Sequence, residues 1–442
     1  MLRALVLLAA GLLGGQTSVA APPAADSLYA FTNVTVVPMD AERALHGQTV
    51  VVRGDRIETI APADRFDIPA GAVVIDGTGK WLIPGLAEMH GHVPPPSAPP
   101  ELTEETLFLY LSQGITTVRG MLGADGQLDL KRRANSGAIL SPTLYLAGPS
   151  FNGNSVSSPE QAEAMVRQQV EEGWDLLKVH PGMTRAEYDA MAETANALGI
   201  RFGGHVPAEV GIEHAIAMGQ ETFDHADGYA EALDAGAGPV DEVALAALVR
   251  QTREAGAWIV PTMALWETIY GTRPLETLQA YPELAYVSDQ QVEGWSNYVR
   301  NATAAPDYDP AEAARVIEGR NRILAALHEG GVRILMGTDA PQLFSVPGFS
   351  LHREFPIMAA AGMSPYEILH SGTALVGEYF SNEDRFGRVE EGHRADLVLL
   401  DADPLADAAH LAEIAGVMVR GRWIDRVALD ARLDAIRATH AQ

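Results

Sequence analysis

Between residues 82 and 337, short apolar runs alternate eight times with amphipathic stretches, and this rhythm constrains the fold more than any other feature. The runs at 82–89, 114–119, 143–147, 175–179, 200–204, 221–224, 257–262 and 333–337 have strand length. The intervening stretches carry helix signals. Ser158-Pro159-Glu160-Gln161 and Thr184-Arg185-Ala186-Glu187 have the form of capping boxes, and Gly199 closes the second of these helices. Strands that alternate with helices pair in parallel, so eight such units predict a (β/α)8 TIM barrel over residues 81–380.

Both flanks have a different texture. "LYAFTNVTVVPMD", "QTVVVRGDRIETIAP" and "AVVIDGTGKWLIPG" are β-branched runs broken by turns such as Arg53-Gly54-Asp55, and "GRVEEGHRADLVLLDAD" and "AGVMVRGRWID" repeat the pattern near the other end. They predict a small composite β-sandwich built from residues 27–80 and 381–430. Residues 1–20 combine an early arginine, a short apolar run and small Ser18 and Ala20, the form of a secretory signal peptide. The expected location is the periplasm or the medium, with no membrane insertion after signal cleavage. The chain contains no cysteine, which excludes disulfides, thiolate metal sites and a cysteine nucleophile. A formal net charge of −27 argues against nucleic acid and anionic membrane partners. A small-molecule substrate fits, and a homo-oligomer is left open.

Two stretches interrupt the rhythm. Residues 93–100, VPPPSAPP, make a stiff loop after the first strand. Residues 263–310 follow the seventh strand with Trp266, Tyr270, Tyr281, Tyr286, Trp295 and Tyr298. An insertion at that point lies on the face where barrel enzymes carry their chemistry. It reads either as a lid over a substrate or as a helical hairpin packed on its own aromatics.

The strand ends carry the chemistry. His90 and His92 stand at i and i+2, on one face if the chain is extended. Alone such a pair is a weak signal. The later runs end "DLLKVH", "RFGGHV", "ETFDHAD" and "RILMGTDAP", presenting Lys178, His205, His225 and Asp339. In a parallel barrel these ends converge on one mouth.

In order, "LIPGLAEMHGHV", "GITTVRG", "LLKVH", "FGGHV", "FDHADG", "GTDAP" and "GHRADLVLLDADPL" resemble the motifs of the amidohydrolase superfamily, within its imidazolonepropionase-like and metal-dependent dipeptidase-like members. The resemblance runs over residues 28–425. It implies a barrel flanked by a composite sandwich, and two divalent ions, zinc foremost, at the strand ends. By that resemblance His90, His92 and Asp339 hold the first ion and His205 and His225 the second, with Lys178, N-carboxylated by CO2, bridging them. A desolvated lysine loses its proton and can then add CO2. Paired ions would lower the pKa of water from about 15.7 to about 7, and Asp339 could act as general base and then acid.

The expected activity is that of an exported metal-dependent hydrolase cleaving a C–N bond in dipeptides or N-acyl amino acids. Alternatives on the same site are a lactonase, phosphotriesterase or carbamate hydrolase, and outside catalysis an exported binding protein on a retained barrel. Candidate substrate contacts are Tyr229, Arg119, Trp266 and Tyr270. Arg119 reads first as a structural ion pair and second as a receptor for a substrate carboxylate, and it departs from the family pattern in being followed by Gly120, not Asp. His180 is expected to support the centre from outside the ligand set.

Overall fold

The computed structural model describes residues 27–441, so the signal-peptide reading of residues 1–20 lies outside the described residues. Five strands open the chain: β1 (Leu28–Val36), β2 (Leu45–Arg53), β3 (Arg56–Pro62), β4 (Val73–Asp76) and β5 (Trp81–Pro84). β6 (Leu86–Gly91) follows at once. The run expected as one strand at 82–89 is therefore two. Pro84 has no N–H to continue a ladder, and a Cβ on Gly85 would lie 2.1 Å from Thr116 Oγ1, so the chain changes sheets at the one residue that fits there.

β6 begins the parallel body. It pairs with β7 (Ile115–Gly120), which pairs in turn with β8 (Thr143–Leu146), in one sheet, while β9 (Leu177–Val179), β10 (Phe202–Gly204), β11 (Thr222–Asp224), β12 (Trp258–Val260) and β13 (Arg333–Ile334) form a second. Hydrogen bonds join these sheets at both edges. Asp175 N donates to Leu146 O and Gly148 N to Leu176 O, each at 3.1 Å, and on the other side Met89 N donates to Met336 O at 2.9 Å. Helices lie between successive strands as expected. Thr184 and Glu187 form the full capping box, whereas Ser158 caps Gln161 N while the Gln161 side chain turns to Ser157.

The two ends of the chain meet in one sheet. β14 (Leu397–Leu400), β15 (Ile414–Val419) and β16 (Arg422–Asp425) continue β1, β2, β3 and β5 in the order β16-β15-β14-β5-β1-β2-β3, with β4 also on β1. By strand pairing this is one continuous eight-stranded sheet that branches at β1 and folds back on itself, because Phe31 on β1 and Trp423 on β16, four strands apart in that order, stand 5.2 Å apart between ring centroids. Its period-two alternation splits the burial: Leu397 and Leu399 join a cluster with Phe31, Val50 and Leu82, whereas Val398 and Leu400 pack into the core of the parallel body. After β16 the chain forms the helix Arg426–His440, which the sequence pattern did not suggest. Asp425 caps it and Leu429, Leu433 and Ile436 are buried.

Residues 263–310 are helical: Met263–Ile269, Leu275–Gln279 and Asp289–Thr303. Trp295 packs on Phe344 at 5.6 Å between ring centroids, and Arg353 lies over Tyr281. These contacts dock the insertion on the segment that follows the last parallel strand. Buried Glu354 accepts hydrogen bonds from Met263 N (2.7 Å) and Ala264 N (2.9 Å) at the insertion's first helix, and its burial pushes its pKa up to about 7. Among the described residues, no helix is long and apolar enough to cross a membrane.

The packing leads to two predictions. Buried Arg394 donates to Asp396 (2.6 Å), Asp384 (2.9 Å) and Thr117 (3.0 Å) on β7, tying the sheet to the parallel body. Replacing it by alanine leaves Asp396 without its buried partner, so the variant should lose about 3–5 kcal/mol in denaturant unfolding; a loss under about 1 kcal/mol would contradict that tie. Glu354 binds its proton more tightly folded than unfolded, so its contribution is present at low pH and is lost as pH rises from about 4.5 to about 7. Glu354→Gln should flatten that part of the stability profile, and an unchanged slope would show that other groups produce it.

Candidate metal centre

The backbone bends at the ends of the parallel strands, and the bends aim the side chains. Strict alternation would put Asp224 and His225 on opposite faces of β11. His225 instead has φ 66° and Ala226 φ 50°, which brings both Asp224 and His225 to the same mouth. Thr262 (φ 47°) and Asp339 (φ 64°) are left-handed in the same way at their own strand ends. Non-glycine residues hold such angles only where their surroundings enforce them. Gly204, with φ 122°, leaves room for the Lys178 stem, because a Cβ there would stand 2.9 Å from Lys178 Cδ.

The predicted residues come together. His90 and His92 both approach Asp339 Oδ1, at 3.5 Å and 2.5 Å through their Nε2 atoms. His90 Nε2 lies 3.2 Å from Lys178 Nζ, and the His90 and His225 rings are 4.4 Å apart, as are those of His205 and His225. His180 stacks on His205 at 4.9 Å. His90 and Lys178 are buried, whereas the side chains of His92 and His205 are 22% and 19% exposed, so the centre opens to solvent on their side.

Supporting groups that the sequence pattern did not single out hold the imidazoles by their other nitrogens. Asp227 pairs with His205 Nδ1 at 2.6 Å and Thr262 Oγ1 lies 2.8 Å from His225 Nδ1, while Asp224 Oδ2 approaches His90 Nδ1 at 2.7 Å as a close contact outside hydrogen-bond geometry. Glu88 accepts from His90 N, Thr338 N and Thr338 Oγ1, fastening the end of β6 to the segment that bears Asp339. Burial pushes the Glu88 carboxyl up to about 8 despite those donors. Asp224 and Asp227 stand inside the motif "FDHAD", which was their only signal.

The electrostatics favour neutral imidazoles around a depressed lysine. Burial first, then the charge of Lys178, holds His90 well below the usual histidine range, and burial with neighbouring imidazoles does the same to His225. Burial also draws Lys178 down to about 8, against the pull of Asp224 and Asp339. Asp224 is raised by burial and lowered more by Arg119 and Lys178, so it stays charged. The donor set fits a divalent cation. The ligand atoms of His90, His225 and Asp339 lie within 4.8 Å of one another, and buried His225 Nε2 has no hydrogen-bond partner among the described residues.

The substrate contacts fare differently. Arg119 is fully buried, donates twice to Asp224 (2.9 and 3.0 Å) and also reaches Met89 O and Thr222 Oγ1, so it is the structural ion pair and not a carboxylate receptor. Tyr229 is likewise buried, its hydroxyl against Thr252 on the helix Glu242–Ala255, which corrects its reading as a substrate contact. Its position in the first turn of a helix turns it into the packing beside Phe223. Trp266 and Tyr270 stand 5.6 Å apart and half-buried in the insertion, with Trp266 edge-on to His225.

Comparison with known proteins agrees with this architecture. A putative prolidase from Bifidobacterium longum superposes with a TM-score of 0.70 at 26% identity, covering 93% of this chain and 99% of that one. Bottromycin amidohydrolase gives a TM-score of 0.73 at 23% identity, covering 93% and 90%. Such likeness shows a TIM-barrel-like α/β fold with an attached sheet domain. Among curated proteins, the adenine deaminase of Rubrobacter xylanophilus is 24% identical over 401 residues, 87% of this chain but 56% of the relative, so the chain spans little more than half that protein's length. The 5-methylthioadenosine/S-adenosylhomocysteine deaminase of Caldanaerobacter subterraneus is 21% identical over 416 residues, 91% of each. The model of the amidohydrolase family matches residues 81–424, from the last strand before the parallel body to the end of the sheet, and the chain belongs to that family.

Proposed function

We propose that the chain is a metal-dependent hydrolase of a C–N bond in a small molecule, acting on dipeptides or N-acyl amino acids at the mouth of one closed (β/α)8 barrel. Lys178 carries this reading: it is fully buried, 3.2 Å from His90 Nε2, with its pKa drawn down to about 8. At pH 7 such a lysine is roughly one-tenth neutral, against less than about one-thousandth for a solvated one. The neutral amine can add CO2 and become an anionic ligand. His90, His92 and Asp339 would then hold one divalent ion, zinc foremost, and His205 and His225 a second, with carboxylated Lys178 between them. The likeness to a putative prolidase supports the peptide-bond version.

Bound divalent ions supply Lewis acidity and make water acidic enough to attack near neutral pH. The chain's own residues handle the protons. Asp339, 2.5 Å from His92 Nε2 and 3.7 Å from His225 Nε2, takes the proton of the attacking water and returns it to the leaving nitrogen. Asp224, Asp227 and Thr262 fix the orientation of His90, His205 and His225. Substrate reaches the centre on the open side, past His92 and His205. Residues 1–20, read as a secretory signal, would place this activity in the periplasm or the medium.

A second reading has its own support. The atoms of His90, His225 and Asp339 alone suffice for a single ion, and the curated relatives named above are deaminases of adenine and of 5-methylthioadenosine or S-adenosylhomocysteine. In that version Lys178 stays an ammonium and the C–N bond cleaved is the exocyclic amine of a purine.

A substrate panel with metal analysis separates the two. Dipeptides, N-acyl amino acids, a lactone, a phosphotriester, adenine and 5-methylthioadenosine are offered to zinc-loaded protein. The proposal expects turnover in the first two classes, two ions per chain, and loss of one ion with loss of turnover in Lys178→Ala. Asp339→Asn should lower kcat by about 10²–10⁴. Turnover of purines alone, with one ion retained in Lys178→Ala, would replace the proposal by the second reading.

A further inference from the structure

Two donors, one buried and one half-buried, converge on one carbonyl. Arg320, from the helix Pro310–Glu329, and Trp266, from the helix Met263–Ile269, both donate to His225 O, through Nη1 at 2.8 Å and indole Nε1 at 3.1 Å. The guanidinium carbon stands 3.8 Å from the indole centroid, so each side chain fixes the other. The carbonyl they hold belongs to the left-handed backbone at His225 and Ala226. A carbonyl with two donors cannot swing out of that conformation without leaving both unsatisfied, the buried guanidinium at the greater cost.

The same guanidinium reaches the other imidazole. Arg320 Nη2 is 3.9 Å from Asp227 Oδ1, and the other Asp227 oxygen holds His205 Nδ1 at 2.6 Å. One arginine thus touches the backbone of His225 and the carboxylate that orients His205. Arg320 is buried, and its Nε and Nη2 have no hydrogen-bond partner among the described residues. That free edge is a poor receptor for a substrate anion, because Asp227 and Glu231, at 3.9 and 3.5 Å, already supply negative charge there.

We propose that Arg320 and Trp266 form a positioning clamp for His205 and His225, so that occupancy of the second ion depends on two side chains that touch no metal. The inference rests on the binuclear reading above. It moves Trp266 from the substrate pocket to the framework of the centre. The insertion then serves the centre as well, because its first helix, anchored by Glu354 at Met263 N and Ala264 N, delivers the indole to His225.

The test is a zinc titration of chelator-stripped wild type, Arg320→Met, Arg320→Lys and Trp266→Phe, with calorimetry and metal analysis reading each ion and thermal unfolding of the stripped proteins run alongside. Trp266→Phe keeps a ring under the guanidinium and removes only the donor. The clamp predicts an unchanged first ion and a second ion weakened by about 10–100-fold in Arg320→Met, less in Trp266→Phe, with partial rescue in Arg320→Lys. In turnover, kcat should fall with KM nearly constant. Second-ion affinity within about twofold of wild type in the folded variants would overturn the clamp, whatever their unfolding temperatures. Should Arg320→Met not fold, Trp266→Phe decides alone. A wild type that binds a single ion would sink the binuclear reading and the clamp together, whereas two ions bound with wild-type affinity in every variant would sink the clamp only.

Discussion

The charged pair of Arg119 and Asp224 is closed off from solvent on all sides, and the rest of the centre is arranged around it. Arg119 spends its donors on Asp224, Met89 O and Thr222, and thereby joins β7 to β6 and β11 from inside. Asp224 has a second neighbour in His90 Nδ1. A buried ion pair of this kind is a weak source of net stability but strongly penalises any structure in which one partner is lost. The consequence is a fixed position for His90, and through His90 for Lys178 and Asp339. Without that pair the mouth would present the same residue types with no common point of aim.

Several strained and unsatisfied groups stand around this pair, although left-handed non-glycine backbone occurs elsewhere too, as at Asn33, Met39, Asp234 and Arg420. His225, Ala226, Thr262 and Asp339 adopt left-handed backbone, Glu88 and Lys178 are buried with strongly shifted pKa values, and His225 Nε2 lacks a partner among the described residues. Ordinary strand ends need none of these features. The left-handed turns aim side chains at one place, and burial disfavours the charged forms of the His90 and His225 imidazoles. Away from the centre, the helix Arg185–Leu198 carries a full capping box, and the alternate residues of β14 divide between two apolar clusters.

Much of this was legible in the sequence because parallel strands leave a simple trace: one apolar run, one ligand-type residue at its end. His90, His92, Lys178, His205, His225 and Asp339 could be named from that trace alone. What could not be read depends on direction and distance. Arg119 and Tyr229 have the chemistry of substrate contacts, yet the local backbone points both into packing. Glu88 meets Thr338 only across 250 residues of chain, and nothing near it in sequence announces the partner. The break at Pro84 and Gly85 hid inside an apolar run that continues on both sides. The final helix was written in Asp425, Leu429, Leu433 and Ile436, but the preceding strands made the segment look like the tail of a sheet.

The central claim is that six strand-end residues form one binuclear centre bridged by a modified lysine. Crystals of zinc-loaded protein, with anomalous scattering recorded across the zinc edge and density inspected at the Lys178 amine, test it most directly. The account predicts two anomalous peaks, one beside His90, His92 and Asp339 and one beside His205 and His225, with extra planar density on Lys178 Nζ between them. A single peak held by His90, His225 and Asp339, with a bare lysine, would contradict it.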